Sequence, residues 1–203
     1  MTRDLDSGIA GLKRRASWAE IGIWLFIAAS LVFVVSGIVA AATGLVSGST
    51  LETVFSLGAV ATFALFVACV VLISMWIHRA HANLFAGGYD GLEYTPGWSV
   101  GWFFVPFANL VKPFHAMVEL WERSLGSTDH SLLRAWWGCF LVGGVLENVG
   151  TRMVDQPGAM AFGLSLMATG TALRTVSAWL VLTIIRQVTE AQNGMVGIGS
   201  TFD

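Results

Sequence analysis

The sequence predicts an all-α, polytopic integral membrane protein. It would have four transmembrane helices, an aromatic re-entrant or interfacial segment between the second and third, and an amphipathic helix after that segment. Three observations lead there. Of 203 residues, 55% are hydrophobic and only 12% charged, where a soluble domain is about a quarter charged. Mean hydropathy is +0.71, so too little polar surface remains to cover the chain in water and lipid must cover part of it. Four apolar runs are each long enough for a hydrocarbon core, which takes roughly 20 residues, and basic residues crowd one side of the map those runs define.

The first run covers about 20–43. Lys13, Arg14 and Arg15 precede it and Ala40-Ala41-Ala42 closes it, the outline of a secretory leader. The run is longer than the apolar core of a leader, so it reads as a first transmembrane helix. The second run, about 53–77, opens on Ser49 with Glu52 three residues on, a capping box. It is expected to continue through His78, Arg79 and Asn83 and to stop at Gly87-Gly88. The third and fourth runs cover about 132–151 and 161–185. The fourth is expected to pass Arg186 and Glu190 and cap at Asn193-Gly194. Helices are the only open segments that satisfy their own backbone in lipid. Small residues at Ser36, Ala40 and Gly44, and at Ala168 and Ala172, offer faces for packing or for a partner membrane protein. No repeat or second domain is visible, so 1–203 reads as one membrane domain.

Orientation follows from the cations. Arg3, Lys13, Arg14 and Arg15 precede the first run; Arg79, Lys112, Arg123 and Arg134 lie between the second and third; Arg186 follows the fourth. The opposite turns carry only Arg152. Both termini and the middle segment are therefore expected in the cytoplasm. The tryptophans lean the same way: Trp18, Trp24, Trp76, Trp136, Trp137 and Trp179 sit toward that side of their runs. They either anchor the chain at the headgroups or wall a groove.

The middle segment, about 94–125, is too apolar for a loop and too broken for a span. Pro96, Pro106 and Pro113 interrupt it; Trp98, Trp102, Phe103, Phe104, Phe107, Phe114 and Trp121 fill it. Gly97 to Val105 fits a short helix dipping into the interface, where protein or water must satisfy its backbone. Pro113 suits the first turn of a new helix, on which Phe114, Met117, Val118 and Trp121 share one face. His115, Glu119, Glu122 and Arg123 take the other, the pattern of a helix lying in the interface plane. Pro96, Trp98, Trp102, Pro106, Asn109, Pro113 and Trp121, with Glu119 to Ser124 and the Trp136-Trp137 pair, give this chain a pattern. It resembles the bacterial membrane-protein family known as domain of unknown function 4328. The resemblance implies a compact helical bundle in the inner membrane and assigns no activity.

Three groups of residues are candidates for function. Trp98, Trp102 and Phe107 are expected to face the helices as a ligand groove rimmed by His78, Arg79, Asn83, Asn109 and Lys112. An apolar pocket with a few convergent polar groups is the default binding site. Asn83 and Asn109 serve equally as backbone partners where helices break. Glu147 and Arg174 are the charges deep within runs, placed nearly symmetrically about the Pro157-Gly158 turn. In an antiparallel hairpin they would meet as an ion pair, with Gly143 and Gly170, each four residues earlier, leaving room. A transport pathway through them is the alternative. His78, His81, His115 and Glu119 form a donor set acceptable to zinc, iron or haem only if the amphipathic helix folds back. Their spacing matches no named motif.

No nucleophile motif, aspartate dyad, phosphate-binding loop or zinc-protease motif occurs, so no catalytic residue is named and no cofactor is required. Cys69 and Cys139 sit inside apolar runs and read as buried thiols, not a disulfide or metal cluster. The net charge of −2 argues against nucleic acid. The expected role is an accessory or scaffold protein, a subunit of a larger membrane complex or a homo-oligomer, or a binder of lipid or another apolar ligand. A small transporter using Glu147 and Arg174, and a histidine-based metalloprotein or membrane enzyme, are the alternatives.

Overall fold

In the computed structural model, residues 2–43 and 49–199 are described, with side-chain surroundings given for most of them. The described chain is helical throughout: α1 (Thr2–Thr43), α2 (Ser49–Ala86), α3 (Pro96–Gly101), α4 (Lys112–Leu125), α5 (Ser131–Val154) and α6 (Met160–Gly199). Two 3-10 turns, Trp102–Phe104 and Ala108–Leu110, join α3 to α4.

Stretches of α1 (Asp6–Gly37), α2 (Thr53–Ala86) and α6 (Met160–Gly194) are long and apolar enough to cross a membrane. α5 is long enough but less apolar, because four glycines, a tryptophan pair and Glu147-Asn148 interrupt its aliphatic residues. Two helix bounds differ from expectation. α1 begins at Thr2 rather than near Glu20, and α6 runs through Asn193-Gly194 to Gly199 instead of capping there. In both cases one continuous helix carries an amphipathic end beyond its apolar stretch. At 42, 38 and 40 residues, α1, α2 and α6 are far longer than a bilayer needs. The surplus lies at one end, where the principal core forms.

That core is built at helical spacing. Leu12, Ala16, Ala19 and Ile23 of α1 meet Trp76, Ile77, Ala80 and Leu84 of α2, and Leu182, Ile185 and Val188 of α6. Pro113 sits at the start of α4, which lays Met117, Leu120 and Trp121 into the same core, while its C-terminus caps on Gly126 at φ 67. Each such aliphatic side chain contributes about 1.5–3 kcal/mol when it leaves water. Toward the other end the large apolar residues face outward: Val54, Leu57, Val60 and Phe63 of α2, Val142 and Val145 of α5, Phe162 and Leu164 of α6. In lipid, burial gives helices no comparable drive to associate, and close backbone approach replaces it. α5 and α6 approach each other closely through glycine pairs. A Cβ on Gly150 would lie 2.7 Å from the Gly163 carbonyl oxygen, and one on Gly170 2.7 Å from that of Gly143. Ala168 and Ala172 lie exposed, so the packing face of α6 toward α5 is glycine rather than alanine. On α1, Ser36 is exposed, and the side chain of Ala40 and all of Gly44 lie outside the described residues, as do the Ser49 and Glu52 side chains.

The long helices pack as α2 on α1, α1 on α6 and α6 on α5, an open arc with α2 and α5 at its ends. α3, the 3-10 turns and α4 lie across one end of the arc, α3 against α2 and α4 against α6.

Candidate functional site

The gap in the arc holds a cavity of about 100 Å³. α2 supplies Phe66, Cys69, Ile73 and Ile77; α5 supplies Trp136, Trp137 and Phe140; α6 supplies Ser177, Val181 and, at its inner end, Arg174. Val70 and Ser74 of α2, Ala178 of α6, Ile23 and Phe26 of α1 and Phe103 of the first 3-10 turn complete the lining. The rings are held in place. Phe103 meets Trp137 edge-on at 6.1 Å, Trp137 stacks on Phe140 at 5.4 Å, and Trp137 Nε1 donates to the Leu110 carbonyl at 2.9 Å. That last bond ties the turn segment to α5. Ser177 is buried and donates to the Trp136 carbonyl at 3.1 Å, which leaves Arg174 and Ser74 as the other polar side chains of a mostly apolar wall.

Glu147 and Arg174 meet at the inner end. Arg174 Nη1 lies 3.0 Å from Glu147 Oε2, and Thr171 donates its hydroxyl to Glu147 Oε1 at 3.1 Å. The glycines beside them are spacers: a Cβ on Gly170 would come 2.8 Å from Glu147 Cγ, and one on Gly143 3.0 Å from Arg174 Cγ. The guanidinium lies 4.8 Å from the Phe66 ring centroid and 5.6 Å from that of Phe140. Such contacts favour a cation in apolar surroundings. Beyond Arg174 lies a second cavity of about 300 Å³, lined by Ser30, Phe33, Thr62, Phe63, Glu147 and Thr171. Phe26, Phe66 and Arg174 line both.

The groove expected around Trp98, Trp102 and Phe107 is not one site. Trp98 and Trp102 pack together at 4.8 Å and line a small recess with Glu93, Tyr94, Thr95 and Lys112. Lys112 Nζ sits 5.6 Å and 5.8 Å from the Tyr94 and Trp102 rings and 3.4 Å from Glu93. Phe107 does not face the helices; it is 87% exposed. Its φ of 63 and ψ of −43, with Ala108 N–H donating to the Pro106 carbonyl at 2.7 Å, make a γ-turn that throws the ring outward. The expected rim is also dispersed. His78 is exposed in a separate cleft with Arg15 and Ser74. Arg79 Nε donates to the Gly8 carbonyl of α1 at 3.1 Å. Asn83 is buried and donates to Gln192 of α6 at 3.1 Å. Asn109 is half-buried in the second 3-10 turn, its N–H donating to the Val105 carbonyl at 2.9 Å.

The histidines do not converge either. His81 is fully buried with Nδ1 3.1 Å from its own helix at the Ile77 carbonyl, whereas His78 and His115 are exposed. Glu119 accepts the backbone N–H groups of Glu93 and Tyr94, a loop clamp. Among the described residues no three histidine, cysteine or carboxylate groups are placed to hold a metal ion.

Sequence reasoning missed two features. Phe140 shares a helical stripe with Trp136 and Trp137 and was not singled out, although those two tryptophans were read as anchors or as groove walls. Gln192 was not singled out, yet its buried amide takes the Asn83 hydrogen bond and donates to the Ala80 carbonyl at 3.1 Å and the Ser124 hydroxyl at 3.0 Å. The family model described as Domain of unknown function (DUF4328) matches residues 41–190. No curated protein and no solved structure matches the chain.

Proposed function

The chain belongs to the DUF4328 family, and we propose that it is an integral membrane protein that holds a lipid or other apolar molecule in the groove between α2 and α5. It works in this reading as an accessory component without chemistry of its own. The observation that carries the reading is the ring-lined cavity in the gap of an open arc, where a ligand enters sideways from the bilayer. Ligand sites are mostly apolar with a few placed polar groups, and here the charged one is Arg174.

In this proposal α5 is a fourth span. Its 24 residues reach about 36 Å, enough for a hydrocarbon core, and Glu147 is matched in charge and position by Arg174. Lys13, Arg14, Arg15, Arg79, Lys112, Arg123, Arg134 and Arg186 gather toward the end bearing α3 and α4, so that end and both termini are cytoplasmic. The segment 94–125 lies at that interface, and the exposed Ala168 and Ala172 leave a small-residue face for a partner membrane protein.

Native mass spectrometry of the protein extracted in mild detergent tests the binding. A retained lipophile, lost when Trp137 and Phe140 are both replaced by alanine in a folded variant, is the expected result. Release of nothing from the intact protein would defeat the groove. A second reading, a small transporter, draws on the further cavity beyond Arg174. Flux in liposomes abolished by Glu147→Gln without loss of fold would favour it.

A further inference from the structure

We propose that the groove takes a membrane quinone: a neutral ring bearing carbonyl acceptors, seated against Arg174, with its isoprenoid tail leaving between α2 and α5. The inference rests on the groove reading above and names the chemistry of its occupant.

The donor comes first. Arg174 carries five N–H bonds, and Glu147 takes one or two of them through Nη1 at 3.0 Å. Nε is buried and has no partner among the described residues. The side chain is still 25% exposed and lines both cavities. An unsatisfied N–H in such surroundings is costly, and an acceptor on a ligand relieves it. Ser30 makes the same demand. It is 2% exposed, lines the inner cavity, and its hydroxyl has no partner among the described residues. Ser30 and Arg174 both line the inner cavity, so an acceptor-bearing group seated there would lie beside both.

Charge then narrows the class. Glu147 already neutralises Arg174, so an anionic head sharing the guanidinium would leave a net negative charge at depth. A neutral acceptor carries no such penalty. Shape narrows it again. The inner cavity of about 300 Å³ is at the lower limit for ligand pockets and has room for one substituted ring. Phe26, Phe33, Phe63 and Phe66 wall it with ring faces and edges suited to a flat partner. Phe66, shared with the outer cavity, marks where ring gives way to tail.

The test uses the full chain in detergent with decylubiquinone as the probe. Quinones quench tryptophan, and Trp136 and Trp137 line the outer cavity. Quenching should saturate and should shrink in Trp136→Phe/Trp137→Phe. Affinity should fall roughly tenfold or more in the Glu147→Gln/Arg174→Gln double variant, which strands no charge. It should be unchanged in Trp98→Phe, outside the groove. Non-saturating quenching, or equal affinity in the double variant, would overturn the proposal. A protein that retains phospholipid while giving no saturable quinone signal would overturn the quinone assignment and leave the groove reading standing. A protein that retains no lipophile and gives no quinone signal would overturn both.

Discussion

Gly143 of α5 and Gly170 of α6 touch backbone to backbone: a Cβ on Gly143 would lie 2.9 Å from the Gly170 carbonyl oxygen, and one on Gly170 2.7 Å from that of Gly143. Seven residues away on each helix, Gly150 and Gly163 repeat the contact. The hairpin is thus held by close backbone approach, and the same approach brings Glu147 and Arg174 into reach.

Gly170→Ala is expected to force the helices apart. Overpacking of this kind costs about 1–3 kcal/mol. Thermal unfolding in detergent should show the loss, whereas Gly138→Ala, where a Cβ meets nothing, should not. Equal stability of both variants would show that the hairpin does not depend on this contact.

The Glu147–Arg174 pair is expected to be coupled. Removing one member of a fully buried pair generally costs about 3–5 kcal/mol, and these side chains are 25% and 26% exposed, so a smaller loss is expected here. Glu147→Gln and Arg174→Gln should each lower stability, with the double variant losing less than the sum. Additive losses in that cycle would mean that the two side chains act independently.

Gln192 is expected to matter more than its surface-polar residue type implies. Its amide is 1% exposed and joins α2, α4 and α6 through Asn83, Ala80 and Ser124. Gln192→Leu leaves the Asn83 side chain buried without this partner, at a cost of about 1–3 kcal/mol. Asn83→Leu/Gln192→Leu should recover part of it. A single variant as stable as the parent would sink this account.

Asp129 provides a pH-dependent contact outside the spans. The Ser131 backbone N–H donates to its Oδ1 at 2.9 Å and the Ser131 hydroxyl to Oδ2 at 3.1 Å, holding its carboxyl below the ordinary value of 3.8. A depressed carboxylate stabilises the fold above its unfolded pKa and loses that contribution as pH falls through the lower folded value. Stability measured downward from pH 6 should therefore decline less on the acid side in Asp129→Asn than in the parent. Parallel profiles would remove Asp129 as a contributor.

The labelling of cysteines placed at Gly158 and Asp90, in a background without Cys69 and Cys139, should distinguish the two ends of the fold. Gly158 sits in the α5–α6 turn and Asp90 in the loop after α2. Outside reagent is expected to reach Gly158 and not Asp90 in intact cells; the reverse pattern would invert the proposed orientation.

Local chemistry by itself determined the helical character of this chain, the apolar runs, the break at Pro113 and the ring-rich segment between helices. Each follows from residues close together in sequence: hydrophobic runs too long for anything but helix in lipid, and prolines that cannot continue one. Only the tertiary structure decided which rings share a cavity. Trp98 and Trp136 look alike as residues, but one lies half-exposed beside Lys112 and the other lines the gap between α2 and α5. The Phe107 ring points outward because of one positive φ, which no residue type announces for phenylalanine. Asn83 and Gln192 meet across 109 positions of chain. Such contacts depend on how long helices rotate and cross. That is set by the summed packing of many side chains, and no short stretch of sequence contains it.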